Sequence, residues 1–320
     1  MMNDPVQKVL FIGSKKLGLR VLQEMITLSP STLVGIMTIE DKDDTRTVFR
    51  DFQALAEVAH LPFYVAQNRK HSEGIIDMLK PELCIVVGWY WLISQECLGS
   101  VPRGFIGIHN SLLPRYRGGA PLIWALINGE KQVGFSLFSF SVGMDDGPIW
   151  TQGHVTVDET DYINDVLEKL EARILEVMRE KYPAIINNEI VPIEQQHSLA
   201  TYCAQRFPTD GNINWFQSAR FIYNFIRAQS APYPGAFTIY EGKILKIWRA
   251  KLFHYDYYGI PGQVARIDQD GVYVICGNNR AIVLQEVELL GQRDKAQNFI
   301  KSIKTRFSCC WDEGFQPNEA

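Results

Sequence analysis

Cysteine patterns that hold zinc or build a disulfide framework are absent from the 320-residue sequence. The six cysteines include no CxxC pair and show no zinc-ligand spacing. A chain of this length can bury a sizeable core without cross-links, so we expect reduced thiols and a cytoplasmic location. We expect no metal site.

Long apolar runs and an excess of positive charge are also missing. No stretch of about 18 apolar residues occurs, so no membrane span is expected. The first residues, MMNDPVQKVLFIG, lack the basic and apolar regions of a signal peptide. The net charge is −4, which gives no sign of nucleic-acid binding.

Two common nucleotide-binding motifs are not present. Gly13, Ser14 and Gly18 follow an apolar run, but their segment has neither GxGxxG nor the GK[ST] of a P-loop. A plain strand-to-helix turn is the better interpretation. A nicotinamide-dependent enzyme is therefore disfavoured.

Short apolar runs alternate with helical patterns in the first half of the chain. Residues 9–13, 33–37 and 83–87 read as buried parallel strands. Apolar residues at helical spacing from Asp161 onward predict a long helix that ends at Pro183. This alternation predicts an α/β fold with a doubly wound, mostly parallel, Rossmann-like sheet.

The pattern changes after about residue 200. Short strands separated by turn signals such as Asp270-Gly271 predict a smaller, mainly antiparallel, β-barrel-like (OB-like) domain. We therefore expect a catalytic domain over residues 1–200, a C-terminal domain over 205–312 and a tail over 313–320.

Gly13 ends one predicted strand, Gly88 directly follows another, and His109 directly follows residues 106–108, a further short predicted strand. Ligands of open α/β sheets bind beyond the carboxyl ends of the strands. The order of elements therefore predicts a site at this edge before any motif is considered.

Residues 107–149 read GIHNSLLPRYRGGAPLIWALINGEKQVGFSLFSFSVGMDDGPI. His109 within HNSLLP, followed by RGGAP and by Asp145 within VGMDDG, resembles the signature of folate-dependent formyltransferases. The resemblance continues through DGNINW (210–215) and IRAQSAPYPGAF (226–237). It implies an enzyme that uses 10-formyltetrahydrofolate as co-substrate, with His109 and Asp145 as catalytic residues.

The chemistry of formyl transfer explains why such residues are needed. A neutral amine attacks the formyl carbon, and the intermediate carries an oxyanion and an ammonium. A histidine beside a carboxylate can stabilise the oxyanion or relay the proton, and Asp145 can hold His109 in orientation and accept that proton. The neighbouring Asp146 also has to be considered, but it fits a DG turn better.

One position departs from the family pattern. The family usually carries Asn-x-His, whose amide donates to the oxyanion, whereas this chain has Gly107 two residues before His109. Asn110 is a candidate catalytic replacement, provided that the chain turns directly after His109. A water molecule, His109 alone, or a non-catalytic protein are the alternatives.

The resemblance also implies binding residues. For the folate, it points to the segment after the predicted strand at residues 83–87 and to the loop before Asp145, that is, to Gly88, Trp89, Tyr90, Leu92, Ile93, Val142, Gly143 and Met144. For the second substrate, the candidates are Ser111, Arg117, Gly118, Arg227 and Tyr233. Arginine can neutralise a diphosphate, and tyrosine can stack on a base.

Three acceptors or roles remain open. We expect a nucleotide-linked amino sugar, and hence a role in surface polysaccharide biosynthesis, because the Trp-Tyr-Trp segment and the PYPGAF pattern look closer to sugar N-formyltransferases. Residues 40–46 are more acidic than basic, whereas methionyl-tRNA formyltransferases carry a basic loop there. That enzyme and a non-catalytic folate or nucleotide binder are the alternatives, and a homodimer is expected.

Overall fold

The computed structural model describes residues 4–42, 44 and 46–308. The helices are α1 (Lys15–Leu28), α2 (Phe49–Ala59), α3 (Arg69–Leu79), α4 (Gln95–Ser100), α5 (Pro121–Ile127), α6 (Ile163–Ile186), α7 (Ala219–Gln229) and α8 (Ala296–Phe299). The strands are β1 (Val9–Gly13), β2 (Leu33–Thr38), β3 (Phe63–Val65), β4 (Leu83–Val87), β5 (Phe105–His109), β6 (Arg117–Gly118), β7 (Gln132–Ser139), β8 (Ile149–Thr156), β9 (Tyr202–Cys203), β10 (Ala236–Tyr240), β11 (Lys243–Leu252), β12 (Val264–Asp268), β13 (Gly271–Ile275), β14 (Ala281–Leu289) and β15 (Gln292–Lys295). The predicted tail, residues 313–320, lies outside the described residues.

The large sheet of the first half is mixed. Its order is β3-β2-β1-β4-β5-β7-β8; the pairs from β3 to β5 are parallel, and β7 and β8 are antiparallel. Every residue of β1 and β4 is buried. The predicted Rossmann-like, mostly parallel sheet is confirmed, because continuous apolar runs form strands that are covered on both faces.

The parallel register brings three strand ends to one edge of the sheet. Gly13 at the end of β1 is paired with Val87, and Gly107 of β5 is paired with Val86 of β4. Gly88 and His109 therefore lie at the same edge, where ligands bind in such sheets.

Helix α6 continues past Pro183, so the prediction that this proline ends the helix was wrong. Proline removes only one N–H donor, and Tyr182, Ile185 and Ile186 on either side of it are all buried. Burial of this last apolar turn holds the helix together. Among the residues that the structure describes, no helix, α6 included, is long and apolar enough to cross a membrane.

The chain divides into two compact units. The first comprises residues 1–121, 132–156 and 168–203, and the second comprises 122–131, 157–167 and 204–320. The short segments 122–131 and 157–167 thus belong to the same unit as the C-terminal part. A single boundary near residue 200 does not describe this division. The bounds 1–200 and 205–312 stay a prediction about independently folding domains.

The second unit contains an antiparallel sheet of order β10-β11-β14-β13-β12, in which β13 pairs with residues 281–284 of β14 and β15 pairs with residues 286–289. The indole ring of Trp215 is fully buried and stacks on Phe307, with ring centroids 5.4 Å apart. Its Nε1 donates to Oγ1 of Thr238 at 3.1 Å. The predicted smaller antiparallel domain is confirmed.

Arg227 has a structural role within the second unit, and its predicted role in substrate binding stays a prediction. Its side chain in α7 is 4% exposed. Nε donates to Oδ1 of Asn224 at 3.1 Å, and Nη1 donates to the carbonyl oxygens of Asp158 at 3.0 Å and Asp161 at 2.9 Å. These bonds satisfy buried backbone acceptors and leave the guanidinium enclosed.

Candidate active site

His109 ends strand β5 with its ring held on one side. Nε2 lies 2.7 Å from the carbonyl oxygen of Tyr116, and the ring packs edge-on against Phe138. A carbonyl oxygen can only accept, so Nε2 carries the hydrogen. The other ring nitrogen, Nδ1, is thereby directed to Asp145.

Asp145 is the nearest carboxylate to this nitrogen. Its Oδ2 lies 3.6 Å from Nδ1 of His109 and accepts the backbone N–H of Gly118 at 2.7 Å. The two side chains are 10% and 26% exposed, so they are shielded but reachable. The structure therefore brings together the two predicted catalytic side chains, which are 36 positions apart in the sequence.

The loop that contains β6 contacts both members of the pair. The Tyr116 carbonyl orients His109, and two residues later the Gly118 N–H orients Asp145. Gly118 has a φ of +97°, and a Cβ there would lie 2.5 Å from the carbonyl oxygen of Cys203. Only glycine fits this position, which is paired with Cys203 of β9.

The electrostatics of the pair follow from its acceptors. Each ring nitrogen of His109 faces an oxygen that can accept a hydrogen bond. Nε2 faces the Tyr116 carbonyl oxygen, and Nδ1 faces a carboxylate oxygen of Asp145. A protonated ring would donate to both, and its charge is the kind that stabilises an oxyanion. Burial and the nearby Asp145 carboxylate raise the pKa of the Cys203 thiol to about 11, so this cysteine is no thiolate nucleophile at neutral pH.

The chain turns directly after His109, as the hypothesis about Asn110 requires. The Ser111 N–H donates to the His109 carbonyl at 2.9 Å, which closes a three-residue turn around Asn110. Among the described residues, Oδ1 of Asn110 is buried and has no hydrogen-bond partner. Ser111 itself is 5% exposed, and its Oγ donates to the Arg115 carbonyl. Ser111 thus holds the loop together, and its predicted contact with the substrate stays a prediction.

The position of the missing asparagine is filled by an aromatic ring. A Cβ at Gly107 would lie 2.2 Å from Cε1 of Phe140. The Phe140 ring stacks on Phe105 with a centroid distance of 6.4 Å and an interplanar angle of 12°. Phe140 therefore excludes the side chain that the family usually carries at this point.

The predicted folate-binding segments separate into packed and exposed residues. Trp89, Trp91 and Ile93 pack against the same core cluster as Phe140, which begins the loop before Asp145. Apolar side chains remain exposed on both segments: Leu92 (84%), Val142 (74%) and Met144 (59%). Gly88, whose φ is +66°, and Gly143 contribute backbone only.

Tyr90 belongs to a charged cluster that the sequence did not reveal. Its hydroxyl donates to Asp41 at 3.3 Å and lies 3.4 Å from Asp44, and Lys15 lies 5.2 Å from its ring centroid. Although burial opposes it, hydrogen bonds to Asp41 and Asp44 raise the pKa of Lys15. The acidic loop after β2 is thereby bound to the ends of β1 and β4.

Arg117 is 2% exposed, and its predicted role in substrate binding stays a prediction. It donates to Oε1 of Gln195 from Nη2 at 2.6 Å and from Nε at 3.1 Å. No local motif marks Gln195, and sequence reasoning missed it.

Tyr233 is partly exposed in the second unit, and its predicted role stays a prediction. Within the described residues, no group of three or more histidine, cysteine, aspartate or glutamate side chains could hold a metal ion.

Comparison with protein families identifies the chain. Residues 7–186 match the formyl transferase family model, and residues 207–304 match the formyl transferase C-terminal domain. This chain belongs to the formyl transferase family. The resemblance seen in its sequence is confirmed, and the protein is an enzyme of the formyltransferase class.

Individual formyltransferases are similar along most of the chain. The methionyl-tRNA formyltransferase of Alkaliphilus oremlandii is 31% identical over 291 residues, covering 89% of this chain and 93% of that protein. An N-formyltransferase from Helicobacter canadensis, solved with folinic acid and dTDP-3-aminofucose, has a TM-score of 0.67 and 16% identity and covers 87% and 98% of the two chains. The methionyl-tRNA formyltransferase from Clostridium thermocellum has a TM-score of 0.58 and 18% identity, with 89% and 99% covered. These structural likenesses show a shared fold.

The acceptor expected from the sequence, a nucleotide-linked amino sugar, was wrong. Curated relatives that are 28–31% identical over about 90% of the chain are methionyl-tRNA formyltransferases. The solved sugar N-formyltransferases are 16–18% identical. The expected role in surface polysaccharide biosynthesis loses its basis as well.

Replacing Asp145 by asparagine should separate charge from geometry. In Asp145→Asn the side-chain carbonyl can still accept from Gly118, but the group no longer takes up a proton. We expect the rate of formyl transfer to fall by about 10²- to 10⁴-fold, the usual contribution of a general base. Steady-state kinetics measure the loss, and thermal unfolding checks that the fold is kept. Turnover within a few-fold of the parent protein would remove Asp145 from the reaction.

The Asn110 hypothesis has its own test. Asn110→Ala removes the side-chain amide of the residue at the centre of the turn after His109, and we expect kcat to fall by about 10²- to 10³-fold, as for loss of an oxyanion donor. Asn128→Ala, at an asparagine in the second unit, is the matched control and should leave kcat unchanged. Equal rates for both variants would show that Asn110 does not serve the oxyanion.

Proposed function

We propose that this formyltransferase transfers the formyl group of 10-formyltetrahydrofolate to the α-amino group of methionyl-tRNA. The observation that carries the chemistry is the His109–Asp145 pair, with Nδ1 and Oδ2 3.6 Å apart at the ligand-binding edge of the sheet. The relatives that carry the choice of acceptor are the methionyl-tRNA formyltransferases.

The proposed reaction uses the pair in two ways. The amine nitrogen bonds to the formyl carbon, whose carbonyl becomes an oxyanion while the nitrogen becomes an ammonium. Asp145 accepts the ammonium proton, and protonated His109, fixed by the Tyr116 carbonyl, stabilises the oxyanion. Collapse breaks the bond to the folate nitrogen, which takes up a proton, and releases tetrahydrofolate and the formylated amine. Asn110 is the candidate second donor to the oxyanion.

The residues around the pair fit a folate. A flat heteroaromatic ring binds between apolar walls that carry a few polar groups. The exposed side chains of Leu92, Val142 and Met144 supply apolar surface on the two predicted segments. The backbone N–H and C=O groups at Gly88 and Gly143 are candidates for the few polar groups that such a ring needs.

The distribution of charge supports an RNA acceptor. Residues 204–308 contain 14 lysines and arginines against eight aspartates and glutamates, although the whole chain has a net charge of −4. Charge asymmetry between the halves of a chain is typical of nucleic-acid-binding proteins. At the end of this region Lys301, Lys304 and Arg306 are all exposed. Exposed lysine and arginine side chains bind phosphates. Their positive charge does not show in the net charge of the whole chain, because the first half is acidic.

Two further expectations are kept as proposals. A homodimer is the commonest oligomer and stays our prediction for the assembly. An enzyme that meets charged tRNA and reduced folate is expected to work in the cytoplasm, where both are made.

An acceptor panel tests the proposed function. The protein is mixed with 10-formyltetrahydrofolate and either methionyl-tRNA, uncharged tRNA or amino-sugar nucleotides, and release of tetrahydrofolate is followed. We expect turnover with methionyl-tRNA alone. Turnover with an amino-sugar nucleotide and none with methionyl-tRNA would overturn the proposal.

The charged surface can be tested separately. In Lys301→Glu/Lys304→Glu, loss of phosphate contacts should raise KM for methionyl-tRNA and reduce the slope of log KM against log salt by about 2, or roughly 1 for each lysine. KM for the folate should not change. Lys8→Glu/Lys70→Glu carries the same change of net charge on exposed residues of the first unit. An equal rise of KM for both double variants would mean that net charge alone, and not this surface, governs tRNA binding.

A further inference from the structure

Gln195 is buried beside the active site with all of its hydrogen-bonding capacity in use. Its side chain is 5% exposed. Nε2 donates to the carbonyl oxygens of Asp145 at 2.8 Å and Gly147 at 2.7 Å. Oε1 accepts both bonds from Arg117. An amide has two donors and two acceptor sites, so no part of Gln195 remains for a substrate.

The two carbonyls that Gln195 holds belong to a strained turn. Asp145 has a φ of +49°, in the left-handed region that residues with a side chain seldom occupy. Such a conformation persists only where the surroundings fix it. The same amide spans the carbonyls on both sides of Asp146 and so fixes the backbone that carries the Asp145 carboxylate.

Arg117 in turn fixes Gln195. Its guanidinium is buried. Nη2 of Arg117 also lies 3.1 Å from Nδ1 of His197, and Nη1 donates weakly to the hydroxyl of Tyr202 at 3.4 Å. Its backbone is fixed by pairing with β9. Because Gly118 is the next residue, Arg117 connects the N–H that holds the Asp145 side chain with the amide that holds the Asp145 backbone.

We propose that Gln195, oriented by Arg117, is a positioning residue that holds Asp145 in its left-handed conformation with Oδ2 toward His109. The inference rests on the proposed role of Asp145 in formyl transfer. Gln195 touches neither substrate nor reacting atoms and acts through Asp145 alone.

A double-mutant cycle tests this assignment. Gln195→Leu removes every bond of the amide at similar size, and we expect kcat to fall by about 10- to 100-fold, as for small misplacements of a reacting group. KM for both substrates should stay within about twofold, because binding surfaces are unchanged. In an Asp145→Asn background, Gln195→Leu should change kcat by less than about twofold, since the carboxylate it positions is already lost. If the double variant showed the product of the two single-variant reductions in kcat, the proposal would be overturned.

Two further variants separate positioning from packing. Gln195→Glu keeps the acceptor for Arg117 but loses the donors to the Asp145 and Gly147 carbonyls, so its kcat should fall as in Gln195→Leu. The matched control is Gln229→Leu in the second unit, where a 6% exposed glutamine accepts from Arg206 at 2.7 Å and donates to Phe225 at 3.3 Å. It should lower the melting temperature about as much as Gln195→Leu and leave kcat unchanged. Parent-like turnover of Gln195→Glu would refute the role of the donors.

A spectroscopic readout is independent of the acceptor. The ¹⁵N signals of the His109 ring are recorded in the protein without folate or amine. In Gln195→Leu they should move toward those of Asp145→Asn, whereas in Gln229→Leu they should not move. Unchanged His109 signals in Gln195→Leu would defeat the positioning role even if turnover fell. If Asp145→Asn itself keeps full turnover, the proposed chemistry fails, and this outcome is distinct from failure of the inference about Gln195.

Discussion

One carboxylate oxygen joins the parts of the active site. Oδ2 of Asp145 accepts from the Gly118 N–H and faces the ring of His109, whose far side rests on the Tyr116 carbonyl. The end of β5, the β6 loop and the loop after β7 are thus tied at a single point. Glycine at position 118 and the left-handed backbone of Asp145 both follow from this requirement, because the loops must approach more closely than ordinary side chains allow.

Structural features that depend on a local sequence pattern could be predicted from the sequence. Buried parallel strands read as continuous apolar runs, so β1 and β4 were identifiable, and the HNSLLP motif pointed to His109. Pro183 was misread because the burial of Ile185 and Ile186 beyond it is a tertiary effect. The burial of Arg117 was not predicted for a similar reason. A buried and an exposed arginine look alike in a sequence, and the amide that encloses Arg117 lies 78 positions away, outside any motif.

The acceptor was misjudged from short sequence likenesses, the Trp-Tyr-Trp segment and the PYPGAF pattern, and the net charge of the whole chain pointed the same way. Electrostatic attraction to a phosphate acts over about one Debye length, roughly 8–10 Å, so the local arrangement of cations decides binding. Residues 204–308 are basic, while the first unit supplies most of the negative charge. The acidic loop after β2 is likewise no free surface, because Asp41 and Asp44 are engaged by Lys15 and Tyr90.

The contact between Gly107 and the Phe140 ring bears on how this lineage can change. Asparagine introduced at position 107 meets the ring, and a smaller residue introduced at position 140 leaves a void against Phe105. Each single change is disfavoured, and only the pair of changes would make room for an asparagine at position 107. The residues at positions 107 and 140 therefore constrain each other, and any side-chain amide that donates to the oxyanion has to come from a position other than 107.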